Sequence, residues 1–144
     1  MRLNKLCSMD LSYTDGFHLI RPYGGESGLG WGFGTGTVSG DRLSGVAQWS
    51  NHPARRGDGA MLPAVRGLIE AGDGAEVVFD LTGRTVFLDR DGVSTGRQLL
   101  LCVFESEAES YLWLNNSVCI VEGAINAETL TIHFEVHECI SDLL

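Results

Sequence analysis

The sequence predicts an antiparallel all-β domain of about 8–10 strands, a sandwich or a closed β-barrel, with one short helix near residues 107–115. Three observations carry that prediction. Short apolar or alternating runs recur along the chain, separated by glycine-bearing turn dipeptides. No stretch keeps the 3.6-residue apolar period for the length of an ordinary helix. Glycine supplies 19 of 144 residues and proline only 3, so the chain is rich in turns without being of low complexity.

The elements follow in order. One or two strands precede residue 23. Thr35–Ser39 and Arg42–Ser50 flank Gly40-Asp41, a hairpin dipeptide. Asp73-Gly74 separates Leu62–Ala71 from Ala75–Leu81 and is the strongest hairpin signal in the chain. Thr82-Gly83 parts Ala75–Leu81 from Arg84–Arg90 in the same way, and further runs cover Arg97–Glu105, Ser117–Glu122 and Thr129–Cys139. Ser106 and Glu109 have the spacing of a capping box, which opens the short helix. In the last strand Thr131, His133, Glu135 and His137 share one face, with Ile132, Phe134 and Val136 on the other, the mark of a half-buried strand. Leu99–Phe104 is apolar on both faces and is expected to be covered twice, by a second layer or by a subunit. No break in composition marks a linker, so residues 1–144 form a single domain.

Charge narrows the partners. The net charge is −9, and Lys5 is the only lysine. A duplex-binding surface needs a basic stripe to displace counterions, and no window supplies one, so neither nucleic acid nor an anionic membrane is expected. The first twenty residues contain Asp10 and Asp15 and no continuous apolar region, so no signal peptide is visible. The longest apolar run is far too short to span a membrane. A cytoplasmic protein is expected. Cys7, Cys102, Cys119 and Cys139 lack the CxxC spacing and are read as free, largely buried thiols.

Four features invite a chemical reading. Seven glycines fall between Gly24 and Gly36, and from Gly28 to Gly36 they recur at every second residue. In a strand this leaves one face bare, with Leu29, Trp31, Phe33, Thr35 and Thr37 on the other. The choice is between a loop leading into a bent strand and a face that a ligand or subunit approaches closely. The polar stretch Trp49 to Gly59 brings together an aromatic platform, His52, Arg55, Arg56 and Asp58, either as a solvated loop or as a binding loop. Tyr111, Trp113 and Asn115 lie on the short helix, as a barrel plug or a ligand wall. His133, Glu135 and His137 suggest a metal, but residues i and i+4 on a strand lie roughly 13 Å apart. No metal site and no cofactor is expected.

The run Asp58-Gly59 … Arg66-Gly67 … Ile69 … Asp73-Gly74-Ala75 resembles the core of the family called domain of unknown function 3237. Tyr111-Leu112-Trp113-Leu114-Asn115 is similar to that family's YxWLN motif, and Ile132–Glu138 to its closing strand. The hairpin from Gly36 to Gly45 fits its opening, so the likeness covers roughly residues 17–140. The resemblance implies a small antiparallel barrel, usually self-associating, with a central pocket and no assigned activity. After the hairpin, Ala47 to His52 and Arg55-Arg56 depart from the family's commoner pattern, and only Trp49 matches there.

The function expected is therefore a β-barrel that binds a small aromatic or carboxylated molecule, as a homodimer or higher homo-oligomer. Trp31, Trp49, Tyr111, Trp113 and Asn115 are the candidate walls, and Arg55 or Arg66 the candidate partner for a carboxylate. An acid–base isomerase, cyclase or lactone hydrolase is the alternative. In it His52 or Asp58 acts as base, and Arg66 or Tyr111 stabilises negative charge. A purely structural or partner-binding barrel is the third reading.

Overall fold

A computed structural model describes residues 1–90 and 92–144. Its strands are β1 (Arg2–Ile20), β2 (Gly28–Ser39), β3 (Gly45–Asn51), β4 (Ala54–Arg55), β5 (Met61–Leu62), β6 (Ala64–Ala71), β7 (Glu76–Arg90), β8 (Val93–Glu105), β9 (Val118–Asn126) and β10 (Thr131–Ile140). A 3-10 helix occupies Glu109–Asn116. Eight strands form a closed antiparallel ring in the order β1-β10-β9-β8-β7-β6-β3-β2, and β2 returns to β1. The two-residue strands β4 and β5 bridge β2 to β7 at one end of the barrel. Among the described residues no helix is long and apolar enough to cross a membrane.

Alternation decides which side chains enter the barrel. On β10, Ile132, Phe134 and Val136 point inward as expected, and His133 stands outside. Val77, Phe79 and Leu81 of β7 meet Leu100, Cys102 and Phe104 of β8 in the same core. Burial holds the thiols of Cys7 and Cys119 up at about 12 and pushes Cys102 up as well, so all three stay protonated and serve as small apolar fillers. The 3-10 helix closes this end of the barrel with Leu114, which is fully buried. One half of the interior is therefore packed solid.

Several local expectations change. Thr82-Gly83 is not a turn: β7 runs unbroken through it, with Leu81 and Thr82 paired to Cys102 and Leu101. Gly83 has φ +153°, and a side chain there would meet the backbone of Leu99 and Leu100, so the glycine serves close strand approach. The chain turns back only after Arg90, which pairs with Val93. The Gly40-Asp41 hairpin exists, but its connection extends over residues 40–44 and delivers Leu43 to the core. The capping box is not made. Ala108 is the N-cap and has no side-chain cap, while Ser106 Oγ accepts from the Ala108 amide at 3.2 Å and donates to the Glu76 carbonyl at 2.7 Å. Finally, Leu99, Leu101 and Val103 stand exposed on the outer wall, and no second layer of the described chain covers them.

The glycine-rich stretch has a definite role. The bare face of β2 points into the barrel, and Leu29, Trp31, Phe33, Thr35 and Thr37 point out. What approaches that face is the chain's own aromatic side chains. A Cβ on Gly30 would lie 2.5 Å from Phe17, one on Gly32 would lie 2.5 Å from Tyr13, and one on Gly34 would lie 2.7 Å from Trp49. Trp49, Tyr13 and Phe17 stack edge to face along this strip, with centroid separations of 4.6 and 5.4 Å. Neither a flexible loop nor an external visitor is needed to account for the glycines.

Candidate functional site

The aromatic ladder leads from the packed half of the barrel into a hollow one. At the end away from the 3-10 helix lies a cavity of about 320 Å³, at the small end of the size range of ligand sites. Its apolar wall comes from Phe17 and Leu19 on β1, Pro53, Met61, Phe87 on β7 and Ile125 on β9. β1 bulges between Thr14 and His18, where Asp15 and Gly16 take positive φ; the two extra residues keep the alternation in step, so Phe17 and Leu19 line the cavity on the same face as Tyr13.

Polar groups converge on the same space. Tyr13, Asn51, Arg55, Thr85 and Gln98 all line it. Asn51 Nδ2 donates to the Tyr13 hydroxyl at 3.0 Å, and its Oδ1 accepts from the Ala64 amide at 3.1 Å. The hydroxyl hydrogen of Tyr13 is thus left for another acceptor. Burial raises the Tyr13 pKa, with the Asn51 hydrogen bond opposing, so the phenol stays protonated. Gln98 is only 7% exposed and donates from Nε2 to Thr85 Oγ1 at 3.0 Å. Arg55 is held through its terminal nitrogen by Glu26 of the β1–β2 loop. Two buried atoms in this wall have no partner among the described residues: Arg55 Nε, a donor, and Gln98 Oε1, an acceptor. A buried polar group left unpaired costs about 1–3 kcal/mol.

The structure brings few of the sequence-derived candidates to this place. Arg55 lines the cavity, and Trp49 stands behind Tyr13 as its support. Trp31 lies on the outer wall, 48% exposed, because the glycines of β2 took the inner face. Arg66 also points outward, and its guanidinium grips Asp80 in a two-pronged pair at 2.8 and 3.0 Å. His52 is exposed, since alternation turns Asn51 and Pro53 inward instead. Asp58 is exposed and held at about 2 by its hydrogen bonds from Arg56 and from the Ala60 amide, which leaves it a poor base. Tyr111, Trp113 and Asn115 belong to the opposite end of the barrel. Tyr111 packs on the core, Trp113 carries the Arg42 guanidinium 4.5 Å above its ring, and Asn115 bridges both backbone groups of Ser106. A 3-10 helix has three residues per turn, so Tyr111 and Asn115 share no face.

Tyr13, Asn51, Thr85 and Gln98 were missed by the sequence reading. Their signal was faint but present: each is a polar residue at an inward position of a strand whose inward residues are mostly apolar.

Among the described residues no cluster of His, Cys, Asp and Glu could hold a metal ion. On the outer wall His133 Nδ1 lies 2.7 Å from Asp10, and Glu135 takes hydrogen bonds from Ser8 and Lys5. The bond to Asp10 raises the pKa of His133, and the Ser8, Lys5 and His133 contacts lower that of Glu135 to about 2. The signs are opposite. Stability from Glu135 is full above its ordinary value of 4.5 and is lost as pH falls toward 2. Stability from His133 is full below 6.5 and is lost as pH rises through its raised value. In urea titrations across pH, Glu135→Gln is expected to flatten the decline between pH 4.5 and 2, and an unchanged acid limb refutes this.

No protein-family model matches the chain, and no curated protein matches it. Solved structures do share its fold. A β-barrel-like protein from Acinetobacter baumannii AYE superposes with a TM-score of 0.84 at 16% identity, covering 95% of this chain and 94% of that one. A protein of unknown function from Clostridium acetobutylicum ATCC 824 also has a TM-score of 0.84, at 17% identity over 97% and 100% of the two chains. An enzyme from Penicillium herquei has a TM-score of 0.64 at 19% identity over 94% and 93%. At such identities the likeness is one of fold.

Proposed function

We propose that this barrel is a receptor for a small, partly aromatic or carboxylated molecule bound in the cavity at its open end. One observation carries the reading: the interior is packed solid beside the 3-10 helix but hollow at the other end, where aromatic side chains face convergent polar groups. A domain that needed only a core would fill this space, because interiors elsewhere reach the density of organic crystals. The motif likeness to domain of unknown function 3237, whose members have a central pocket, belongs to the same proposal.

A panel of aromatic carboxylates tests it. Benzoate, 4-hydroxybenzoate and 4-hydroxycinnamate are expected to raise the melting temperature in a concentration-dependent way, as any ligand that binds only the folded state must. Trp49 stands edge-on to Tyr13, so binding should also change tryptophan emission. A folded protein that responds to none of them refutes the reading.

The enzymatic alternative draws on the fold shared with the Penicillium herquei enzyme and on two donors, Tyr13 and Arg55, suited to developing negative charge. Against it, no His, Asp or Glu lines the cavity among the described residues. The site is better equipped to hold an anion than to remove a proton.

A further inference from the structure

We infer that the cavity selects molecules carrying two groups at once: an anionic oxygen for Arg55, and a hydroxyl or N–H hydrogen for Gln98. Hydroxy- and amino-substituted aromatic acids are the simplest such class. The inference rests on the receptor reading above and specifies what that receptor prefers.

The argument comes from a single row of the wall. Arg55 pairs with Met61, Met61 with Thr85, and Thr85 with Gln98, so these four residues sit side by side on β4, β5, β7 and β8. All four line the cavity. Adjacent strands lie about 4.8 Å apart, so the two ends of the row are roughly 14 Å apart at the backbone. The middle of the row is apolar at Met61, and Thr85 is already engaged by Gln98.

Each end of the row carries one buried hydrogen-bonding atom that has no partner among the described residues. Glu26 takes the terminal nitrogen of Arg55 and leaves Nε. Thr85 takes the amide nitrogen of Gln98 and leaves the carbonyl oxygen. Both atoms are buried within residues that line the cavity, and binding would have to turn each toward the ligand. The requirements are complementary: a donor at one end asks for an acceptor, and an acceptor at the other asks for a hydrogen. Tyr13 adds a second donor on the facing side. A plain aromatic acid meets only the arginine, and a plain phenol or alcohol only the glutamine. Sites built to hydrogen-bond a hydroxyl reject analogues that lack it, because the buried group is then left unpaired.

Isothermal titration of the unmodified protein with benzoate, 4-hydroxybenzyl alcohol, 4-hydroxybenzoate and 4-aminobenzoate tests the pairing. The two doubly substituted acids are expected to bind about tenfold or more tighter than benzoate or the alcohol. In Gln98→Met that advantage over benzoate should fall to about twofold, and in Arg55→Met all three acids should weaken about tenfold while the alcohol does not. Equal affinity for benzoate and 4-hydroxybenzoate overturns the inference alone, as does an advantage that survives Gln98→Met. If no member of the panel binds, the receptor reading falls and takes the inference with it. The ligand comparison uses the unmodified chain, so it decides the matter even if Gln98→Met fails to fold.

Discussion

Gly34→Ala is expected to cost about 3 kcal/mol or more, a large share of the roughly 5–15 kcal/mol that holds an ordinary domain folded. The added methyl would overlap the Ser12 carbonyl oxygen on β1 and reach within 2.7 Å of Trp49 Cζ2. The first obstacle is backbone, held by the pairing of Ser12 with Thr35 and Tyr13 with Gly34. It cannot rotate aside as a side chain would. The same substitution at Gly72 is the control, since a Cβ there meets nothing within 4 Å. Gly72→Ala should change stability by no more than about 0.5 kcal/mol. Urea midpoints of the two variants decide the matter, and similar values refute the close-approach account of the β2 glycines.

Phe79→Ala is expected to cost about 3–5 kcal/mol, since the ring is fully buried at the centre of the packed half. A companion substitution makes the prediction specific. Phe79 lies opposite Gly67 on β6, and the three atoms nearest a Cβ at Gly67 all belong to its ring. Gly67→Ala should therefore be damaging in the parent and close to neutral in Phe79→Ala, where the obstructing ring is gone. A double-mutant cycle measures the difference as a coupling of about 1–3 kcal/mol. Simple additivity overturns the claim that the ring occupies the space glycine vacates.

These two residues illustrate how much of the fold was legible. Asp73-Gly74 forms its turn because a local dipeptide dictates a local geometry, with Ala71 accepting from the Gly74 amide at 2.9 Å. The inward set of β10 was equally readable from alternation within one strand. Glycines were harder, since a glycine can serve a turn or the close approach of another strand, and only the second strand tells which. Gly83 has the dipeptide of the first and serves the second.

The candidate site was less legible for a related reason. Trp31 and Arg66 are conspicuous residue types, yet alternation places both on the outer wall. Tyr111 and Trp113 are equally conspicuous and lie at the wrong end. Gln98 and Thr85 are unremarkable residues, made notable by burial and by what they leave unpaired. Arg55 was within reach because its polar loop stood out in composition. Which of its neighbours would face the same space depends on the β4–β5–β7–β8 row, a product of long-range register.

The ring closes where β1 meets β10, so residues as distant as Leu11 and Ile132 are direct partners. Sequence-distant pairing of this kind makes folding slow, and it also fixes an order of events. As the chain leaves the ribosome, β1 and β2 can pair early, but β1 keeps a row of unmet amides and carbonyls until β10 appears. Until then the growing protein is an open sheet with two sticky margins, the form most prone to stray strand pairing. The safety of the finished wall thus depends on its last strand being made and docked promptly.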